Sequence, residues 1–121
     1  MYEYKATVDR WVDGDTVDVN IDLGFDVVLT GQRVRLYGVN TPESRTRDLE
    51  EKARGLAAKA YVNEMAPAGS VITLVTKTYD AKGKYGRILG EIVVEKEHGT
   101  YNVNQMLINE GHAEEYFGGK R

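Results

Sequence analysis

Residues 2–23 read YEYKATVDRWVDGDTVDVNIDL and contain two alternating runs separated by a turn signal. Every second residue is apolar or aromatic over 2–8, and the same pattern returns over 17–23. A period of two is typical of strands that bury one face. The dipeptide Asp13-Gly14 lies between the runs and favours a tight turn. The stretch therefore predicts two antiparallel strands joined as a hairpin.

The run after this hairpin predicts a third strand. It is expected to begin near Val27, to turn Val34 and Leu36 towards the core, and to end before Pro42. Gly31 inside the run indicates a turn or a bulge, because glycine is favoured where strand pairing is interrupted. The outward positions of this strand carry Arg33, Arg35 and Tyr37.

Residues 49–65 predict the first helix. Asp48, followed by Glu51 three residues later, resembles the capping box that starts many helices. Pro67 and Gly69 are expected to end the helix. The apolar positions with helical spacing are Leu49, Ala53, Leu56, Ala57, Ala60 and Met65.

Two further strands and a second helix are expected in the remaining chain. The β-branched run 71–78 predicts a fourth strand and the segment 88–95 a fifth, with a polar loop between them. Asn102 is expected to cap the second helix, and Gly111 to follow its end. The tail from His112 is expected to be irregular, with residues 118–121 frayed.

Three strands, a helix, two strands and a helix match the five-stranded Greek-key barrel called the OB-fold. The fold class is therefore expected to be mainly β, with two helices, in a single domain over 1–121. Oligonucleotides bind this fold across strands 2 and 3 and at the loops joining strands 1–2 and 4–5. The first of these loops is acidic, DGDT at 13–16, and the second is mainly basic, DAKGKY at 80–85.

Composition excludes several kinds of chemistry. The chain has 121 residues and no cysteine, so disulfides, thiolate zinc sites, iron–sulfur clusters and cysteine nucleophiles are excluded. The formal net charge is −3, distributed as −5 over 1–29, +5 over 30–90 and −3 over 91–121. A basic cleft beside acidic groups would suit metal-dependent phosphate chemistry, whereas a solvated helix face would equally account for the basic excess.

The hydropathy pattern bears on the cellular location of the protein. No apolar run approaches the roughly 18 residues that a membrane span needs, so no membrane partner is expected. The first residues do not combine a basic start with an apolar core, as a secretory signal does. A cytoplasmic protein is therefore expected, or a secreted one whose leader was removed.

Two segments could hold a metal ion. Asp13 and Asp15 flank a glycine, so both carboxylates could reach one hard cation, although Asp-Gly is also simply a good turn. The segment NTPE at 40–43 offers an amide oxygen, a carbonyl before proline and a carboxylate. A capped turn leading into a helix would explain the same segment.

Two arginines could bind phosphate. Arg35 lies on the outward face of the third strand, and Arg87 begins the fifth beside Lys84 and Tyr85. Arginine makes bidentate contacts with phosphate that lysine cannot make. A lone arginine on a strand is nevertheless most often a solvated surface charge.

Three ordered motifs resemble the staphylococcal nuclease (thermonuclease) family: DGDTV at 13–17, VRLYGVNTPE at 34–43 and KYGR at 84–87. Their order and spacing agree over nearly the whole chain, and VNQML at 103–107 resembles the helix that follows in that family. The resemblance implies a calcium-dependent endo- or exonuclease that cuts DNA and RNA with low sequence specificity and leaves 3′-phosphate ends.

The resemblance also implies one calcium site. Asp15 and Asn40 match the family's two side-chain ligands, and Thr41 matches the residue whose backbone carbonyl binds the ion. Asp13 is expected to hold these ligands in place without binding the ion itself.

The resemblance further implies a catalytic set and a phosphate contact. Arg35 and Arg87 match the two arginines that hold the phosphate and its transition state, and Glu43 matches the proposed general base. Lys84 and Tyr85 match residues that contact the terminal phosphate of the nucleotide.

The chain departs from the family pattern in two places. The family has aspartate where Asn40 stands, and because calcium affinity depends on ligand charge, weaker calcium binding is expected. The family's long final helix has no counterpart after Phe117. Tyr116 and Phe117 are candidates for packing on a base or, alternatively, for packing at the edge of the barrel.

Two functional interpretations follow. An active nuclease is favoured by the joint presence of Asp15, Arg35, Glu43 and Arg87, because a binding module does not need all four. A nucleic-acid-binding module with weakened or lost catalysis is favoured by Asn40. Single-stranded DNA and RNA are the expected partners, since they fit an open cleft. A monomer is expected because no heptad repeat is present.

Overall fold

The computed structural model describes residues 2–79 and 88–116. This part of the chain contains eight strands and two helices. They are β1 (Tyr2–Asp13), β2 (Thr16–Gly24), β3 (Val27–Leu36), β4 (Gly38–Asn40), α1 (Leu49–Met65), β5 (Val71–Tyr79), β6 (Ile88–Lys96), β7 (Gly99–Asn102), α2 (Val103–Asn109) and β8 (Glu114–Tyr116).

Five of these strands form a closed barrel, which confirms the predicted OB-like, mainly β fold class. β1 pairs antiparallel with β2 and β5, β2 pairs with β3, and β5 pairs with β6. The parallel pairing of β3 with β6, which runs from Val34↔Ile88 to Leu36↔Gly90, closes the barrel. The β1–β2 turn and the end of β3 therefore lie at the same end of the barrel.

The barrel core consists of alternate strand residues, as the period of two predicts. Val17 and Val19 of β2 are fully buried, and Val34 and Leu36 of β3 point inward as expected. These positions place the intervening side chains of β2 and β3 on the outer surface of the barrel. The same alternation thus determines which side chains can reach a ligand.

The outer part of the β2–β3 hairpin projects beyond this core. The alternation predicts Leu23 on the buried face, but Leu23 is 44% exposed, so the prediction is wrong there. None of the other strands that the structure describes covers this part of the hairpin, because β3 pairs with β6 only over its last three residues. Phe25 and Asp26 form the turn with φ of 55° and 62°, as a type I′ turn requires. Gly31 has a φ of 64°, and β3 carries one extra residue relative to β2 there, so of the two expected features, a turn or a bulge, the structure has the bulge.

Helix α1 begins where the capping signal places it. The Asp48 carboxylate accepts hydrogen bonds from the backbone N–H groups of Glu50, at 3.0 Å, and Glu51, at 3.2 Å. The N-cap prediction is therefore confirmed. The side chain of Glu51, however, does not return to Asp48, whose backbone N–H donates to Thr46 Oγ1 instead.

The face that α1 buries differs from the predicted one. Gly55, Ala58 and Val62 are buried, whereas Leu49 and Leu56 are 79% and 47% exposed. Small residues occupy the inner face because the helix backbone lies very close to the chain segments beneath it. Periodicity of large apolar residues misses such a face, since glycine and alanine contribute little to it.

The short strands are absent from the sequence prediction. β4, β7 and β8 have three or four residues each, which is too short for alternation to be recognised. β4 pairs antiparallel with β8, and Asn40 lies opposite Glu114. The expectation of an irregular tail from His112 is therefore wrong for residues 114–116, because this part of the tail completes a two-stranded sheet.

Helix α2 agrees with its predicted caps. The Asn102 side chain accepts a hydrogen bond from the Gln105 N–H at 3.1 Å, and Gly111 follows the C-cap with a φ of 77°. In the described part of the chain, neither helix has the length and apolar character that crossing a membrane would require.

Candidate active site

The β1–β2 turn places two carboxylates at one end of the barrel. Gly14 and Asp15 form the turn, directly after Asp13 at the end of β1. A Cβ atom on Gly14 would lie 2.9 Å from the Ala58 Cβ and 3.1 Å from the Thr41 Cγ2. The turn is therefore packed against α1, and only glycine fits at its first position.

Asp15 is buried and is bound through both carboxylate oxygens. Thr16 Oγ1 donates a hydrogen bond to Oδ1 at 3.0 Å, and the Thr41 backbone N–H donates to Oδ2 at 3.1 Å. The backbone carbonyl of Asp15 accepts from the Leu36 N–H at 2.8 Å. These bonds join the β1–β2 turn to β3 and to the segment after β4. The predicted metal ligands Asp15 and Thr41 are thereby brought together.

Arg35 extends along the same end of the barrel. Its Nη1 donates to the carbonyls of Leu36 at 3.1 Å and Val39 at 2.8 Å, and its side chain is 15% exposed. The same nitrogen lies 3.5 Å from Asp15 Oδ2, and Nη2 lies 3.4 Å from Asn40 Oδ1. The backbone thus fixes a positive charge between two predicted metal ligands.

Asp13 contacts the segment that follows β4. Its Oδ1 accepts a hydrogen bond from the hydroxyl of the buried Ser44, and its Oδ2 lies 3.7 Å from Arg45 Nη2. The carboxylate of Asp13 therefore anchors this segment to the end of β1. Its support of a metal site stays a prediction.

The backbone around Glu43 is held by α1. The Glu43 N–H donates to Glu51 Oε2 at 3.2 Å, which replaces the reciprocal half of the expected capping box. A methyl group on Gly55 would overlap the Glu43 carbonyl and lie 2.7 Å from the Pro42 oxygen. The helix thus positions Glu43 through one hydrogen bond and one close backbone approach.

These segments enclose a polar cleft of about 250 Å³. Six of the predicted site residues line it, together with Thr16, Pro42, Ser44 and Arg45. The six are Asp13, Asp15, Arg35, Asn40, Thr41 and Glu43. Lys84, Tyr85, Arg87 and Phe117 lie outside the described residues. Tyr116 lies in β8, where its backbone pairs with Gly38.

Sequence reasoning misses several residues that shape this cleft. Ser44 and Arg45 carry no motif signal of their own beyond their position next to Glu43. Gly55 does carry one, since an isolated glycine inside a helical pattern often has a packing reason. Glu51 is recognisable as a capping residue, but its bond to Glu43 depends on tertiary packing.

The donor set fits a hard cation. Asp15, Asn40 and Thr41 offer only oxygen atoms, which calcium prefers, and no nitrogen or sulfur ligand of the kind zinc favours. The buried Thr41 Oγ1 has no hydrogen-bond partner among the described residues, so it retains capacity to accept one. Within residues 2–79 and 88–116, no group of three or more His, Asp or Glu side chains is arranged to hold a metal. With its low anionic charge and Arg35 adjacent, this donor set would favour weak rather than tight binding of such a cation.

Two comparisons with known proteins identify what the chain is similar to. Residues 33–121 match the family described as Staphylococcal nuclease homologue. The chain is also 32% identical over 120 residues to Endonuclease YhcR of Bacillus subtilis (strain 168), an alignment covering 95% of this chain and 9% of that protein. The chain thus spans about a tenth of the length of this relative. On this match, the chain belongs to the staphylococcal nuclease homologue family.

Proposed function

We propose that the chain is a calcium-dependent phosphodiesterase that hydrolyses DNA and RNA. The arrangement of Arg35 carries this proposal: its guanidinium is held by two backbone carbonyls, 3.5 Å from the buried Asp15 carboxylate. A cation fixed beside oxygen donors in a polar cleft suits a phosphate group. Family membership supports the same chemistry.

Arg35 would stabilise the transition state of phosphodiester cleavage. Attack on the phosphorus gathers negative charge on the equatorial oxygens, and a preorganised guanidinium stabilises that charge without reorganising. Arg87, which lies outside the described residues, is proposed as the second arginine. Lys84 and Tyr85 are proposed to contact a terminal phosphate.

Glu43 would act on the attacking water. A carboxylate in the cleft can orient a water molecule or accept its proton, an effect typically worth about 10²–10⁴-fold. The Glu51 hydrogen bond at 3.2 Å and the close contact with Gly55 hold the Glu43 backbone in place for this task. Cleavage of the bond to the 5′ oxygen would leave a 3′-phosphate.

Asp15, Asn40 and Thr41 would hold one calcium ion. When bound, calcium supplies positive charge that polarises the phosphate and neutralises its charge. Because only Asp15 contributes a full negative charge from this trio, the ion would bind weakly in the absence of substrate. Asp13 would act through Ser44 and Arg45, by keeping the Thr41 segment against the barrel.

The open, polar cleft favours flexible substrates. A single strand can fit its backbone along the surface more easily than a duplex, so single-stranded or frayed DNA and RNA are the proposed substrates. No group for reading base edges is placed in the cleft by the described residues, so low sequence specificity is expected. We propose that the domain acts as a monomer.

Cleavage of heat-denatured DNA tests the proposal. The wild type is assayed with millimolar calcium and with chelator, beside Arg35→Ala, Arg87→Ala and the control Lys96→Ala at the far end of β6. Calcium-dependent cleavage that each arginine variant reduces by orders of magnitude, with Lys96→Ala unaffected, is expected. Equal cleavage in chelator would contradict the calcium requirement.

The presence of Asn40 keeps a second function open. If the wild type binds single-stranded DNA but does not cleave it at millimolar calcium, a nucleic-acid-binding module becomes the better account. Asn40→Asp would then be the variant that tests whether the lost ligand charge explains the inactivity.

A further inference from the structure

A row of charged side chains crosses the outer face of the barrel. It lies beside the polar cleft that is lined by six of the predicted site residues, which we call the active-site cleft. Arg10, Asp18 and Arg33 lie opposite one another on β1, β2 and β3. Arg10 Nε lies 3.1 Å from Asp18 Oδ2, and Arg33 binds Asp18 through Nε at 2.9 Å and Nη2 at 3.2 Å. The Asp18 carboxylate therefore holds two arginines, one on each side of it.

Asp18 and Arg33 of this row line a groove of about 510 Å³, and Arg10 lies next to that lining, on the other side of Asp18. The groove shares Asp13, Thr16 and Arg45 with the active-site cleft, so the two spaces adjoin each other. A chain that leaves the active-site cleft on this side would pass over Arg33. The remaining lining residues of the groove are Val12, Asp18 and Gly31.

The spacing along β3 relates the groove to the proposed reaction. Arg33 and Arg35 are two residues apart on the outward face of one strand, which separates their Cα atoms by about 7 Å. They lie opposite Asp18 and Thr16 of β2. This separation is comparable to that between successive phosphates of an extended polynucleotide. If Arg35 holds the scissile phosphate, Arg33 is placed for the next one.

The electrostatics of the groove suit an anion. Arg33 and Arg45 line the groove, and Arg10 pairs with Asp18 from outside the lining. These three guanidinium groups are paired with only two carboxylates, Asp13 and Asp18. The side chains of Arg10 and Arg33 are 66% and 45% exposed, whereas that of Asp18 is 13% exposed. The N–H groups not used on Asp18 can therefore point to a ligand, while the carboxylate stays beneath them.

We propose that Arg10 and Arg33, oriented by Asp18, bind the backbone phosphates of single-stranded nucleic acid next to the cleaved bond. This proposal rests on the proposed nuclease function and names its substrate class: chains of several nucleotides rather than dinucleotides. Arginine suits this role because its planar group can bind a carboxylate along one edge and a phosphate along another. Asp18 is a positioning residue that does not itself touch the ligand.

Binding without cleavage provides the first test. A fluorescent 12-nucleotide oligothymidylate is titrated with wild type, Arg33→Ala and Arg10→Ala in chelator, at several salt concentrations, with anisotropy as the signal. Each arginine variant is expected to raise Kd about tenfold and to reduce the slope of log K against log salt by about 0.7. Lys96→Ala, which removes a lysine charge at the end of β6, is expected to match the wild type.

Cleavage of two substrates separates this proposal from the nuclease proposal. In calcium, the ratio of kcat/KM for the 12-mer to kcat/KM for a dinucleotide is expected to fall about tenfold in Arg33→Ala. Suppose that the wild type is active and that neither arginine variant changes the Kd, the salt slope or the ratio of kcat/KM values. The proposal of phosphate binding in the groove would then be overturned, while the nuclease proposal would stand. If the wild type is inactive but both variants still weaken binding, the nuclease proposal is overturned and the phosphate-binding groove is supported. Arg10→Ala preserves the Arg33–Asp18 pair, so it remains informative if Arg33→Ala unfolds.

Discussion

At the residue scale, the contacts of Arg35 distinguish this site from a simple carboxylate cluster. Its guanidinium lies 3.5 Å from Asp15 and 3.4 Å from the Asn40 amide oxygen. An asparagine at position 40 keeps an oxygen beside the cation but adds no negative charge. The charge at position 40 would therefore affect how strongly the proposed calcium ion binds beside the fixed arginine.

Restoring a charge at position 40 should tighten calcium binding. Asn40→Asp adds a carboxylate to the proposed ligand set, and we expect the calcium Kd to fall about tenfold, because affinity rises with ligand charge. Isothermal titration calorimetry measures this directly, with Asn63→Asp on the exposed side of α1 as a control for added charge. An unchanged calcium Kd in Asn40→Asp would show that position 40 is not a ligand.

Asp18 should contribute to the pH dependence of stability. The hydrogen bond from Arg33, followed by that from Arg10, lowers the pKa of Asp18 below its ordinary value of 3.8, although burial acts in the opposite direction. A carboxyl with a lowered pKa in the folded state stabilises the protein above its unfolded pKa. That contribution is lost as the pH falls from about 3.8 through the lowered value.

Asp18→Asn should therefore cost stability at neutral pH and little in acid. We expect a loss of about 1 kcal/mol or less in the free energy of unfolding near pH 7, since the arginine partners are partly exposed, and a smaller loss near pH 3. Urea unfolding at both pH values measures it, with Asp9→Asn as an exposed control. An equal loss at both pH values would mean that the ion pairs are not its source.

At the element scale, α1 shapes the site because its inner face lacks large side chains. The helix brings Gly55 and Ala58 against the 42–43 segment and the β1–β2 turn, so that backbone meets backbone with little side chain between them. Larger residues on this face would push Glu43 and Asp15 away from Arg35. Because the small residues of α1 face the barrel, the large residues Leu49 and Leu56 lie on the exposed side of the helix.

Gly55→Ala should impair the site even though alanine favours helices. A methyl group at position 55 overlaps the Glu43 carbonyl, so we expect Glu43 to shift and the rate of DNA cleavage to fall roughly tenfold or more. The matched control is Ala57→Gly on the exposed side of α1, which should cost about 1 kcal/mol of stability and leave the rate unchanged. A Gly55→Ala protein that is more stable and fully active would show that the helix can move away at no cost.

At the scale of the whole molecule, barrel closure and site assembly share one buried side chain. Asn104 of α2 donates through Nδ2 to the carbonyls of Tyr37, at 2.9 Å, and Gly90, at 3.1 Å. Its Oδ1 accepts from the Ile92 N–H at 3.1 Å. Asn104 thus joins α2 to β6 and to the residue between β3 and β4. The strand that closes the barrel and the strand that carries Asn40 are held by the same amide.

Asn104→Ala should destabilise the whole domain. It leaves buried backbone groups without their partner, and we expect a loss of roughly 3 kcal/mol in the free energy of unfolding. Urea unfolding followed by the fluorescence of Trp11, the single tryptophan, measures this loss. Asn109→Ala, at an exposed position of the same helix, should stay within about 0.5 kcal/mol of the wild type. Similar stabilities of the two variants would contradict a central role for Asn104.

Local sequence patterns predict most of this architecture. The structure contains the three strands predicted within 2–36, the Asp13-Gly14 turn, the Asp48 and Asn102 caps and the Gly31 bulge, although the predicted buried face does not extend to Leu23. These features depend on neighbouring residues, whose spacing directly sets the buried face, the turn or the cap. The motifs likewise predict which side chains line the active-site cleft, because their residue types are suited to metal and phosphate.

Contacts between distant segments depend on the tertiary structure. The bond from Thr41 to Asp15 spans 26 residues, and the β4–β8 pair joins residues 38–40 to residues 114–116. Glu51 binds Glu43 instead of completing a capping box. The small-residue face of α1 and the Arg10–Asp18–Arg33 row belong to the same class. By itself, the amino-acid sequence determined the five long strands, the caps and the chemical groups of the site. Only packing decided their partners, because a side chain's neighbours across a barrel are set by register and close approach, which no local period records.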